Sequence, residues 1–108
     1  MLKQSTIDGI NAALAHAEAK HGDQWMGALP LEQQGDDTIH LGARLVSLSL
    51  AADRIIHERP TRTAVLVSEA GESMLEVLRG NDFNARAELL QVAAMAAQWA
   101  QDLGGDAA

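Results

Sequence analysis

At 108 residues the chain is one domain by length, able to bury roughly two-thirds of its unfolded surface. Hydrophobic residues make up 47% of it but aromatics only 3%, with no tyrosine, so the core must come from Leu, Ile, Val, Met and many Ala, which suits closely approaching helices. A net charge of -7, eight basic residues against fifteen acidic and no dense Lys/Arg cluster, argues against duplex nucleic acid and anionic membrane as partners, and the lack of cysteine excludes disulfides and thiolate metal sites.

The opening Met1-Leu2-Lys3-Gln4-Ser5 has no apolar block of the signal-peptide kind, and no apolar run approaches a membrane span. A cytoplasmic location is the expectation. The first helix is predicted from Ser5 or Thr6, where a hydroxyl cap followed by Asp8 resembles a capping arrangement. Ile7, Ile10, Leu14 and Ala17 then form one apolar face, and Gly22 ends the run.

From Gly22 to Gly35, glycine and proline punctuation predicts a loop longer than most connections. Trp25 sits in it, either as a lid on the core or as a stacking surface for a base. The second helix opens at Asp36-Asp37-Thr38, acids at the positive end of its dipole, and stops before Pro60. Leu41, Leu45, Leu48, Ala52 and Ile55 form its main apolar face, with Ile39, Val46 and Leu50 as a second. A helix apolar on two sides is central to a bundle or meets another subunit.

The third helix follows Thr61-Arg62-Thr63 and carries Leu66, Val67, Ala70, Met74, Val77 and Leu78 on its apolar arc. Gly80-Asn81-Asp82 is a tight reversal, with Asp82 or Asn84 as cap for a fourth helix bearing Leu89, Val92, Ala93, Ala96, Trp99, Ala100 and Leu103. Gly104-Gly105 stops it. No strand-like alternation and no internal repeat appears, so residues 1–108 read as a single all-α domain, most simply a four-helix bundle.

Helical neighbours three, four and seven apart share a face. Glu69, Glu72 and Glu76 therefore form one acidic stripe, and Glu88, Gln91, Met95 and Gln98 a second, mostly polar one. If the last two helices fold back antiparallel, three carboxylates and an amide oxygen converge. Such a hard-oxygen set suits Mg²⁺ or Mn²⁺, with positions left for water and substrate phosphates. The plain alternative is a solvated stripe, because it borders the apolar arc as an exposed face does.

The segments Ala64-Val65-Leu66-Val67-Ser68-Glu69-Ala70-Gly71-Glu72 and Ala87-Glu88-Leu89-Leu90-Gln91-Val92-Ala93-Ala94-Met95-Ala96-Ala97-Gln98-Trp99 are similar to the MazG-like all-α nucleoside triphosphate pyrophosphohydrolases, whose pattern is an E-E-x-x-E helix and an E-x-x-D helix. The resemblance covers roughly the last third of the chain, and His21-Gly22-Asp23-Gln24-Trp25 is loosely similar to the segment upstream of the site. It implies Glu69, Glu72 and Glu88 as metal ligands with Gln91 in the place of the final acid. Ser68 stands where the leading acid belongs. It also implies Mg²⁺-dependent hydrolysis of a nucleoside triphosphate to monophosphate and pyrophosphate, a nucleotide-pool house-cleaning role, and a homodimer that completes the bundle. In that mechanism Glu76 is the spare carboxylate that takes a proton from water, while Arg59 and Arg62 flank Pro60 where they can reach the terminal phosphates.

Two other readings come from different classes. Ile39-His40-Leu41-Gly42-Ala43-Arg44 is similar to the phosphoaccepting helix of histidine phosphotransfer domains, with His40 as acceptor, although Gly42 stands where those domains usually carry lysine. A non-catalytic helical interaction module, a degenerate member that kept the fold, is the other, made credible by Ser68 and Gln91. Among the remaining histidines, Glu18-x-x-His21 has di-iron spacing but occurs once where a bundle site needs it twice.

Overall fold

A computed structural model describes residues 1–22 and 31–104. The expected all-α class holds: α1 (Gln4–His21), a single 3₁₀ turn at Leu31–Gln33, α2 (Asp36–Glu58), α3 (Arg62–Leu78) and α4 (Asp82–Gly104), with no strand among the described residues. Trp25 and the rest of segment 23–30 lie outside that description, as do residues 105–108.

The helix ends differ from the expectation in their chemistry. Thr61 caps α3 by accepting the Ala64 N–H at 3.1 Å, and Asn81 rather than Asp82 or Asn84 serves α4, its Oδ1 accepting the Asn84 N–H at 3.1 Å. Gly80 makes the reversal with φ of 72°, a conformation that favours glycine. The start of α1 has no side-chain cap. Thr6 is used elsewhere: its hydroxyl and the Lys3 N–H both donate to Oε1 of Gln101, at 3.0 and 2.7 Å.

Helices α2, α3 and α4 run antiparallel in sequence with α3 in the middle. The α2–α3 contact is made by small residues. Gly42, Ser49 and Ala52 are buried on α2, and Ala64, Ser68 and Gly71 on α3. A Cβ built on Gly71 would stand 2.2 Å from Ser49 Cβ and 2.9 Å from the Leu45 carbonyl oxygen, so the two backbones meet where glycine alone fits. Of the leucines expected on the main face of α2, Leu41 and Leu48 are displaced from this seam and more than half exposed, as is Leu50 of the expected second face.

Helix α1 meets chiefly the far end of α4, around Gln101, and buries no residue of its own. Its apolar face, Ile7, Ile10 and Leu14, stays open. The bundle is accordingly an open slab of 44 × 43 × 22 Å, and its radius of gyration of 15.4 Å exceeds the about 13 Å of a compact chain this long.

The slab has two unlike faces. On one, Leu41, Leu45 and Leu48 of α2, Met74, Val77 and Leu78 of α3 and Leu89 of α4 line an apolar groove of about 710 Å³. Leu78 lies nine residues beyond Glu69, which at about 100° per residue is half a turn around α3. The acidic stripe therefore occupies the opposite face.

Candidate metal centre

Periodicity puts Glu69 and Glu72 one turn apart on α3, and the Gly80 reversal brings α4 back alongside with Glu88. One carboxylate oxygen from each of Glu69, Glu72 and Glu88 can be chosen so that all three lie within 4.8 Å of one another. Glu69 and Glu88 are half-buried, while Glu72 opens to solvent.

A fourth acid stands beside them. Asp53 of α2 accepts a hydrogen bond of 2.5 Å from the Ser68 hydroxyl on α3. Its negative charge bears on both Glu69 and Glu72.

Burial raises the Glu69 carboxyl above its usual range, the facing Glu88 carboxyl raises it further, and the Asp53 charge adds to this. Glu72 is raised by burial first, then by the charges of Glu69, Glu88 and Asp53. No lysine or arginine pairs with any of the four among the described residues. Oε2 of Glu69 and Oε2 of Glu88 are each fully buried without a hydrogen-bond donor. Two crowded, buried acceptors with nothing to accept from need either a shared proton or a cation. The donor set is all oxygen, open on the Glu72 side, and fits a hard divalent ion such as Mg²⁺ or Mn²⁺.

The other predicted site residues are not gathered with these. Gln91 follows one turn after Glu88 on α4 and is exposed. Glu76 lies outside the triad, its carboxylate accepting from Arg79 Nη1 at 3.4 Å. Arg62, expected to reach toward phosphates, is engaged by Asp102 near the end of α4. The Arg62 hydrogen bond holds the Asp102 carboxyl below its ordinary value. Arg62 precedes Glu69 by seven residues, about 10 Å along the helix axis. Arg59 is exposed at the end of α2, where its N–H caps the Ile55 carbonyl. His40 is exposed on the first turns of α2.

Asp53 is the residue that pattern reading passes over. A signal for it exists: it is the sole acid between Thr38 and His57, and it follows Ala52 on the small-residue seam.

Comparison with models of protein families, with curated proteins and with solved structures finds no match.

Proposed function

We propose that the acidic face holds a divalent cation, Mg²⁺ or Mn²⁺, and that the chain hydrolyses a nucleoside triphosphate to its monophosphate and pyrophosphate. The observation that carries the cation is the pair of buried, donorless oxygens on Glu69 and Glu88 within an all-carboxylate triad. The reaction class follows from the likeness to the MazG-like pattern, Glu69-x-x-Glu72 on one helix facing Glu88 across a short reversal. Glu69, Glu72 and Glu88 would hold the ion, which when bound neutralises phosphate charge and lowers the pKa of a water. The exposed side of Glu72 is where substrate has room to approach. Glu76, one turn further along the same stripe, is the reserve proton acceptor, released when its contact with Arg79 opens.

The test is a product assay with Mg²⁺ and a panel of ribo- and deoxynucleoside triphosphates, with Glu72→Gln alongside. Monophosphate and pyrophosphate from wild type alone supports the reading. No turnover of any nucleotide overturns it and turns attention to the interaction-module alternative and to His40.

The same reading includes a homodimer. A single chain leaves two apolar surfaces without partners among the described residues, the groove between α2, α3 and α4 and the Ile7/Ile10/Leu14 face of α1. A second copy supplies each with apolar surface to cover it. Light scattering that gives a monomer at micromolar concentration removes this part.

A further inference from the structure

Resting on the homodimer part of that reading, and on nothing in the acid centre, we infer that two copies meet along α2, antiparallel about a two-fold axis, with Arg44 of each set against Glu58 of the other. The residues that carry this lie in one row. Leu41, Arg44, Leu48, Ala51, Ile55 and Glu58 follow one another at alternating steps of three and four, the repeat with which one helix lies along another, and every one of them is exposed. Leu50, nine residues after Leu41, stands half a turn round the helix and takes no part.

The row continues into the apolar groove. Leu41, Arg44 and Leu48 belong to both, facing Met74, Val77 and Leu78 of α3 across it. Row and groove are thus one surface, and Arg44 is the sole charge among the described residues that line the groove.

Two charges of opposite sign interrupt the row, and neither has a partner within its own chain. The ion pairs among the described residues join Arg62 to Asp102 and Arg79 to Glu76, which leaves Arg44 and Glu58 unpaired. Glu58 is also the last residue of α2, where its charge meets the negative end of the helix dipole. Arg44 lacks an acid and Glu58 lacks a cation. A second copy of α2 supplies both.

The spacing selects one register. With the two-fold axis passing between Leu48 and Ala51, Leu48 lies over the partner's Ala51, Arg44 comes level with the partner's Ile55, and Leu41 with the partner's Glu58. Arg44 and the partner's Glu58 are then three residues apart along the axis, about 4.5 Å. Side chains on a helix lean toward its N-terminus, which in antiparallel helices tilts these two toward each other. The two-fold repeats the pair at the other end. Leucine over alanine lets the helices close at the centre, giving an apolar middle with a charged rim. Shifted by one heptad, the register either sets Arg44 on the partner's Leu48 or carries it past the end of the partner's α2. Both shifts leave the two charges without an opposite.

The experiment is sedimentation equilibrium of the full-length chain for wild type, Arg44→Glu, Glu58→Arg and the doubly substituted chain, with circular dichroism of each. A single reversal sets like charges together twice per dimer and is expected to raise the dimer Kd by about ten-fold or more. The double swap restores opposite charges in both contacts, with Kd expected within about three-fold of wild type. Helicity should be the same in all four, because both side chains are exposed. Where a reversal lowers helicity, Arg44→Gln and Glu58→Gln, singly and together, take its place, and Kd effects that multiply independently overturn the pairing.

A wild type that stays monomeric removes the homodimer and this seam with it, and leaves the cation centre on the opposite face untouched. A wild-type dimer that both single reversals leave as tight puts the interface elsewhere and overturns the seam alone. Weakening in both single variants with no recovery in the double swap overturns the register and the pairing of Arg44 with Glu58.

Discussion

In the absence of a cation the crowded carboxyls of Glu69 and Glu88 oppose folding, and a cation held there as proposed would reverse that sign. Replacing Glu88 with glutamine relieves the crowding, since a neutral amide can donate to the orphaned Glu69 oxygen. The metal-free midpoint of Glu88→Gln is therefore expected to rise by about 2–4 °C, equivalent to about 0.5 kcal/mol at this chain length. On the proposed site, Mg²⁺ should raise the midpoint of wild type and leave that of this variant unchanged. Calorimetry with and without Mg²⁺ checks both signs, and a fall in the metal-free midpoint would refute the crowding argument.

The pH dependence has a defined direction. The carboxyls of Glu69 and Glu72 are raised above the ordinary 4.5 by burial and by their acidic neighbours. The folded chain then binds more protons than the unfolded one between that value and the raised one, so metal-free stability falls as pH increases through this window. Asp102, lowered by Arg62, acts below its ordinary value of 3.8 and in the opposite sense, so it leaves this window clear. Metal-free protein should melt higher at about pH 5 than at about pH 7.5, and saturating Mg²⁺ should remove or reverse the difference.

Among the elements, the α2–α3 seam fixes the spacing on which the centre depends. Gly71→Ala would improve helix propensity by about 1 kcal/mol, yet its Cβ meets Ser49 and the Leu45 carbonyl at distances no side chain tolerates. The net expectation is destabilisation by about 1–3 kcal/mol in urea unfolding, with a loss of Mn²⁺ affinity larger than for a distant substitution of equal cost. The helical pair Glu69/Glu72 and Glu88 was legible in the sequence because periodicity and one glycine reversal suffice to superpose them. Asp53 was not, because its place depends on which face of α2 meets α3, and hydrophobicity pointed to the leucines. The close approach of glycine, serine and alanine decided instead, burying the small residues and leaving Leu41 and Leu48 to line a groove. The caps follow the same logic: Thr6 was read as a local cap and is spent on Gln101, a contact separated by 95 positions that no short-range pattern reveals.

For the whole molecule, the sequence-level bundle assumed that every apolar face finds a partner within the chain. Among the described residues helix α1 shows otherwise, since its regular apolar spacing says that the face is to be covered but not by what. A charge placed in the groove tests the proposed assembly: if two copies join there, Leu48→Glu is expected to give a monomer in sedimentation where wild type gives a dimer, with helicity by circular dichroism retained because Leu48 is already more than half exposed in one chain. The acid centre and the groove lie on opposite sides of α3, and this has a kinetic meaning. Two copies joined through their grooves would turn their carboxylate faces outward, each facing its own solvent, with neither lending a residue to the other's pocket. Such a pair would work as two separate catalysts bolted back to back, and substrate saturation should follow a simple hyperbola with a Hill coefficient of about one.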